Sequence, residues 1–286
     1  MYYGSVAYML SIIILLIVTA AVYLVLRKCK EKIAKLVIFS IMLVNVLQHL
    51  LKSVIYPIYF GQGFTAISSA YNMCAFLILI SPAVFLSKSR FFKNFLYFVG
   101  TVAGIAAIAV PQWYIGKPIS ELGVSYFRFY LCHALLFISS IMPLLLGFHK
   151  PSHKEFWQVG LGFLFALCCI VINDFLFMAM DLYPGADIHD FFDSMQRINP
   201  CGLMGPPKSL PWVAHLVSPF SPAFLLGDNS LGAPIPILWY AIPVYLGISS
   251  ACAVLFAILD RRNFTRDISR LSEKFRHPKH RNGPSR

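Results

Sequence analysis

Seven apolar runs divide the chain, at residues 5–26, 36–60, 64–87, 95–112, 124–147, 156–180 and 236–258. Each is close to the roughly 20 residues that an α-helix needs to cross a bilayer. Polar and basic residues gather in the short stretches between the runs. Hydrocarbon offers no water to satisfy a free N–H or C=O, so spanning segments close their hydrogen bonds internally as helices. The pattern therefore predicts an all-α fold, a polytopic transmembrane bundle of seven helices.

Composition agrees: of 286 residues, 58% are hydrophobic and only 13% charged, with a mean hydropathy of +0.70. The basic residues then orient the bundle, because Lys and Arg in short loops are retained on the cytoplasmic side. Arg27, Lys28, Lys30, Lys32 and Lys35 follow the first span, Lys88, Arg90 and Lys93 follow the third, and Lys150 and Lys154 follow the fifth. Nine more lie between Arg261 and Arg286, whereas the opposite side has three, Lys117, Arg197 and Lys208. The N-terminus is expected outside and the C-terminus in the cytoplasm, as an odd number of spans requires. No basic residue precedes Ile12 and the first apolar run exceeds a secretory h-region, so the first span is expected to stay in the mature protein.

The net charge of +12 does not point to nucleic acid, because the cytoplasmic loops and tail account for almost all of it. The expected partners are membrane lipids, with anionic headgroups at the basic cytoplasmic face, where each juxtamembrane cation adds about 1 kcal/mol. A plain topogenic and solubilising tail over residues 261–286 explains the same charges equally well. Residues 1–260 are expected to form one transmembrane domain. Its outer loop or lid at 181–235 is rich in Pro and Gly and includes Asp181, Asp187, Asp190, Asp193 and Asp228, and a connection of that length is usually a lid, a binding loop or disordered. Asp187, His189, Asp190 and Asp193 match no defined ligand spacing, so no metal and no cofactor are expected. The seven cysteines form no disulfide framework and no CxxC pair.

Ionisable and strongly polar residues within spans are costly and face a cavity or one another. Asn45, His49 and Lys52 share one helical face by their i, i+4, i+7 spacing. Tyr71, Asn72 and Cys74 lie in the third span, Arg128 and His133 in the fifth, Asn173 and Asp174 in the sixth. At 1.5 Å per residue, Cys74 is about 15 Å along the third span and His133 about 14 Å along the fifth, both counted from the outer face. Counted from the same face, Asn173 is at roughly 10 Å, and His49 and Lys52 at roughly 16 and 12 Å. Four helices contribute to one layer.

A thiol beside an imidazole suits nucleophilic catalysis: the base takes the proton, the thiolate attacks an ester carbonyl and an acyl-enzyme forms. Cys74 is the candidate nucleophile, His133 the base and Asn173 the group that would orient the ring, following the Cys-His-Asn arrangement. His49, Lys52, Tyr71, Asn72, Arg128 and Asp174 are candidate substrate-binding residues, Lys52 or Arg128 for a phosphate or an oxyanion. Plainer roles compete for each. A membrane cysteine commonly packs as a small hydrophobe, Lys52 and Arg128 can snorkel, and Asn173 can join helices. Cys132 adjoins His133 but points about 100° away on an ideal helix, which makes it the weaker thiol.

The run YNMCAFLILISPAVFLSKSRFFKNFLYFVGTVAGIAAIAVP followed by YFRFYLCHALLFISSIMPLLLG resembles the YwaF family of bacterial integral membrane proteins, matching it at Cys74, Pro111, Phe127, Arg128, Phe129 and His133. Asn173 and Asp174 resemble the family's Asn-Tyr pair, and LGAPIPILWY at 231–240 resembles its entry to the last span. Asn72 stands where the family has His, Asp174 where it has Tyr, and residues 183–230 resemble an insertion. The resemblance implies a multi-pass protein of a bacterial cytoplasmic membrane. Through animal relatives that include an acyltransferase building polyunsaturated ether phospholipids, it also implies that Cys74 and His133 are a catalytic pair.

Two classes of function follow. One is a membrane-embedded lipid acyltransferase or acyl-ester hydrolase working through Cys74 and His133. The other is a transporter or sensor in which Lys52, His49, His133 and Asp174 form a polar path. The symmetric interruptions of repeated halves that mark many transporters are not found in the sequence. DRY and NPxxY receptor signatures are also missing, and residues 236–258 contain no Lys that could hold retinal.

Overall fold

A computed structural model describes residues 5–60, 65–111, 123–183, 185–191, 194–195 and 241–276. These residues form nine α-helices with no strand among them: α1 (Val6–Leu26), α2 (Glu31–Leu50), α3 (Lys52–Phe60), α4 (Met73–Leu86), α5 (Arg90–Ala109), α6 (Gly123–Leu145), α7 (Trp157–Ala179), α8 (Ala241–Leu259) and α9 (Arg261–Arg276). Five of them, α1, α2, α5, α6 and α7, are long and apolar enough to cross a membrane, and α4 and α8 are shorter apolar helices. The protein is an integral, multi-pass membrane protein. Large aliphatic side chains along α1, α2, α7 and α8 stand exposed, Ile17, Leu47, Ile172 and Ile258 among them, as befits helices whose surroundings are hydrocarbon.

The third apolar run is not one helix. Residues Thr65–Ser68 make a 3₁₀ turn, the chain is irregular to Asn72, and only then does α4 begin, 14 residues long. Consecutive serines near a hinge explain the break. α2 stops at Leu50 and α3 starts at Lys52 with Pro57 inside it, and a proline donates no N–H. The Ser68 hydroxyl spans the hinge, accepting from Ser53 N at 2.9 Å and donating to Leu50 O at 3.1 Å. Asn72 then caps α4 by accepting from Ala75 N at 2.9 Å. Pro82 within α4 frees the Ile78 carbonyl, and the Ser81 hydroxyl takes it up at 2.8 Å.

The basic stretches around Lys35, Arg90 and residues 150–154 converge at one end of the bundle. There Lys35 stacks on Phe148. Arg90 grips Glu155 with two hydrogen bonds of 2.8 Å while its Nη2 also reaches Lys150 O. Asn94 donates to Glu155 and to Gln158, and it accepts from His149 at 2.6 Å. Burial, with Arg90 and Lys93 close by, lowers the His149 pKa from 6.5 to about 4 and keeps that ring neutral.

Residues 261–276, expected as a plain tail, form a helix as far as Arg276 because Phe264, Ile268 and Leu271 recur at helical spacing. His153 holds α9 in place, its backbone N–H and Nδ1 meeting Asp260 Oδ2 at 3.1 and 2.9 Å, while Lys154 meets Asp267 at 2.6 Å. Hydrogen bonds from the His153 ring and backbone hold the Asp260 carboxyl below its usual range despite the opposing effect of burial. A surface groove of about 450 Å³ lies between α9 and residues 153–154, at the opposite end from Cys74.

The helices α5 and α6 pack closely. Gly100 and Gly104, four apart, form the small-residue stripe that lets membrane helices approach. A Cβ on Gly104 would stand 2.8 Å from Phe137 N and Cβ and 2.9 Å from His133 O. The glycine thereby sets where the His133 backbone sits. On the far side of α7, Gly160 similarly admits Tyr245 and Ser249 of α8.

Candidate functional site

Buried polar groups from α2, α3, the 65–72 segment, α4, α6 and α7 meet in one layer, away from the basic end. Its centre is the His133 imidazole, on α6 and 8% exposed. The ring Nδ1 lies 2.7 Å from Phe129 O and 3.3 Å from Cys132 Sγ. A carbonyl oxygen only accepts, so Nδ1 carries the hydrogen and Nε2 is the basic nitrogen. The Phe129 ring packs on the imidazole with centroids 4.3 Å apart. Cys74, in the first turn of α4, is within electrostatic range of the His133 side chain. Cys74 is half-buried and Cys132 fully buried.

Two of these placements differ from the sequence expectation. Cys74 is the second residue of α4, not a position midway along a long helix, because the run Ser69-Ala70-Tyr71-Asn72 is irregular and Asn72 starts the helix afresh. Nor does Cys132 stand aside: its thiol touches the adjacent ring, because the 100° separation of backbone positions is bridged by side chains curling toward each other. The layer thus contains two thiols about one imidazole.

Several expected site residues support the 65–72 segment. Ser69 O accepts from His49 Nε2 at 3.1 Å, and the Ser69 hydroxyl accepts from Asn173 Nδ2 at 3.0 Å and donates to Ala66 O at 2.6 Å. Asn173 also donates to Asp174 Oδ1 at 3.1 Å. Asn173 Nδ2 thus acts on Ser69, one turn before the thiol helix, and Phe129 O accepts from the His133 ring. Likewise Asn72 acts as the cap that presents Cys74, and its side-chain oxygen is engaged there. Asn45 adds a bond from α2 to Cys132 O at 3.1 Å, which the sequence alone did not single out for the site. Its place one turn before His49 was the available signal.

Lys52, Tyr71 and Arg128 form the remaining wall. Lys52 is 5% exposed, its Nζ 5.3 Å from the Tyr71 ring centroid. Arg128 lies 5.2 Å over the Tyr56 ring and donates to the Tyr56 hydroxyl at 2.8 Å. Lys52 is within electrostatic range of Arg128, Cys132 and Cys74, so the cations share the layer of the thiols. Buried polar atoms without a hydrogen-bond partner concentrate here: Gln48 Oε1, His49 Nδ1, Arg128 Nε and Nη1, and Asp174 Oδ2. Such groups are rare in native structures and call for water or a ligand.

Among the described residues no group of three His, Cys, Asp or Glu side chains could hold a metal. Asp193, most of the 181–235 loop and the 231–240 segment lie outside the described residues.

A protein-family model described as the TMEM164 family matches residues 2–206, which include every candidate site residue. No curated protein and no solved structure gives a significant match. The family found is a membrane protein family, and it does not carry the YwaF name suggested by the sequence resemblance.

Proposed function

Given that the chain belongs to the TMEM164 family of membrane proteins, we propose that it is a membrane-embedded lipid acyltransferase, or acyl-ester hydrolase, with Cys74 as nucleophile and His133 as general base. One observation carries this reading: a half-buried thiol and a buried imidazole, from separate helices, lie within electrostatic range of each other inside a polar layer that is otherwise surrounded by apolar helix faces. The resemblance to YwaF-type proteins points the same way, since it aligns Cys74 and His133 with the Cys and His of an ether-phospholipid acyltransferase.

The chemistry follows from the placement. His133 Nε2 takes the proton of the Cys74 thiol, and the sulfur lone pair attacks the carbonyl carbon of a lipid ester. The tetrahedral oxyanion finds donors in the first turn of α4, whose leading N–H groups have no intrahelical acceptor. The Ala75 and Phe76 N–H groups are taken by Asn72. Collapse breaks the ester C–O bond, the departing alkoxide receives the proton from His133, and a thioester remains on Cys74. An acceptor hydroxyl, or water, then gives its proton to His133, attacks the thioester and restores the thiol.

Seven spans with the N-terminus outside fit this proposal. The basic end faces the cytoplasm and its anionic headgroups, and the Cys74 layer faces the outer half of the bilayer, where ester lipids reach it sideways. The test is conversion of a phosphatidylcholine in nanodiscs to lysophospholipid with release or transfer of the acyl group. The full chain is expected to turn the lipid over, and Cys74→Ala and His133→Ala are expected to abolish turnover. Retained turnover in either variant removes that residue from the mechanism. No turnover across a panel of phospholipids, together with solute or proton movement that depends on Lys52 and Asp174, would establish the transport reading instead.

A further inference from the structure

One edge of α9 is apolar and open. Phe264, Ile268 and Leu271 lie within about 60° of one another around the helix by their i, i+4, i+7 spacing, and they are 37%, 51% and 50% exposed. They line the groove of about 450 Å³ together with His153, Lys154, Asp267 and Arg270. The remaining surface of α9 is cationic. Arg262, Arg266 and Arg270 repeat every fourth residue on the side away from that edge, Arg261 stands on its flank, and all four are exposed. The ion pairs at this helix join Asp260 and Asp267 to His153 and Lys154, and none among the described residues uses an α9 arginine.

The place of α9 in the fold says what covers the edge. Asp260 alone separates it from the membrane helix α8. Ile258 and Leu259, which end α8, stand exposed as lipid-facing side chains do. The first turn of α9 therefore emerges where acyl chains give way to headgroups, at the basic end of the bundle. His153 and Lys154 grip Asp260 and Asp267, which keeps the helix beside the bundle and closes that side to a protein that would wrap around it.

We propose that α9 is an interfacial helix that docks on the anionic phospholipids of the cytoplasmic leaflet, with Phe264, Ile268 and Leu271 at the acyl boundary and the arginines among the headgroups. A basic polar face opposite an aromatic and aliphatic edge is the composition of helices that lie in this plane. Lipid fills the open groove, and phosphates supply the anions that the α9 arginines lack within the chain. This surface is at the opposite end of the bundle from Cys74 and does not depend on the acyl-transfer reading.

The experiment follows hydrogen–deuterium exchange of residues 261–276 in the full chain, in nanodiscs of phosphatidylcholine alone and of phosphatidylcholine mixed with phosphatidylglycerol. Exchange is expected to be slower with phosphatidylglycerol and to quicken in high salt, which shortens the reach of exposed charges. Arg262→Gln and Arg266→Gln are each expected to lose about fivefold of the added protection, the equivalent of about 1 kcal/mol for one cation near an anionic leaflet. Ile268→Asn is expected to lose most of the protection in both nanodiscs, and Ser269→Asn, on the polar side, to keep it. Ile and Asn have similar helix propensities, so that loss reports on the edge and not on helix formation. Equal exchange in the two nanodiscs would remove the anionic leaflet as the partner, and protection unmoved by Ile268→Asn would mean that the grip of His153 and Lys154 alone orders α9. Either result overturns the proposal. So would protection that arrives only with an added acidic calcium-sensor protein and not with phosphatidylglycerol, which would make the helix a protein target. Cys74→Ala is expected to exchange like the parent over α9 whether or not the parent turns phospholipid over, so the two readings fail separately.

Discussion

Gly104→Ala perturbs the site without touching it. The added methyl would stand 2.8 Å from Phe137 N and Cβ and 2.9 Å from His133 O, whereas ordinary contact begins near 3.4 Å. Relief needs about half an ångström or more of movement, and two of the three opposing atoms are backbone, so α6 must move as a body. Overpacking of this kind costs about 1–3 kcal/mol. A displaced α6 carries His133 away from Cys74, and misplacement approaching 1 Å costs on the order of a hundredfold in rate. Gly100→Ala is the control, because its nearest clash is the Ser140 hydroxyl, which rotates away without moving the helix. Thermal midpoints from tryptophan fluorescence and lysophospholipid release in nanodiscs measure both effects. The prediction is a lower midpoint and a ten- to hundredfold slower reaction for Gly104→Ala, with a smaller loss of both for Gly100→Ala. Unchanged midpoint and rate in Gly104→Ala, or a greater rate loss in Gly100→Ala, would refute the claim that this helix contact places the imidazole.

Further predictions concern the elements around the site. Asn72→Ala removes the cap of α4 and is expected to cost about 1 kcal/mol and to slow thioester formation at Cys74. Asn72→Asp or Asn72→Ser restores an acceptor and both properties, so a rate that ignores the cap would contradict its presenting role. His149 is neutral in the fold with its pKa lowered to about 4, while the unfolded chain takes up a proton near pH 6.5. The stability it contributes is therefore complete above about pH 6.5 and lost as pH falls toward 4. Midpoints measured across that range are expected to fall in the parent and to fall less in His149→Asn, and parallel curves would sink the assignment. Cys132→Ala is expected to leave turnover largely intact despite its contact with the imidazole, because the buried thiol is poorly placed to meet a lipid. Complete loss would transfer the nucleophile's role to Cys132.

Much of this arrangement was legible in the chain. Apolar length marked the membrane helices, and the basic loops marked the end at which Lys35, Arg90, Lys150 and Lys154 converge. The site layer was legible because His49, Lys52, Arg128, His133 and Asp174 are costly in apolar helices wherever they lie. What escaped was local. The serines at 68 and 69 act through hydroxyl bonds to the Leu50 carbonyl, the Ser53 N–H and Asn173, and such long-range partners leave no periodic trace. The break before Asn72 therefore looked like one continuous run, although the residue's identity as a strong N-cap was there to read. Cys132 escaped because a helical wheel places backbone positions and not side-chain tips. The bond from Asn173 to Ser69 depends on the register between α7 and the 65–72 segment, which hydropathy does not encode. The amphipathic α9 was open to reading from the spacing of Phe264, Ile268 and Leu271, but the density of charge around them obscured it.

The most direct measurement is peptide mass spectrometry of the full chain after incubation with a phospholipid bearing a distinguishable acyl group, with hydroxylamine treatment to release thioesters. The account predicts a hydroxylamine-labile acyl adduct on the peptide containing Cys74, still formed in Cys132→Ala and missing in His133→Ala. An adduct on Cys132 in the unmodified protein, an adduct on Cys74 that survives loss of His133, or no adduct from any phospholipid would contradict it.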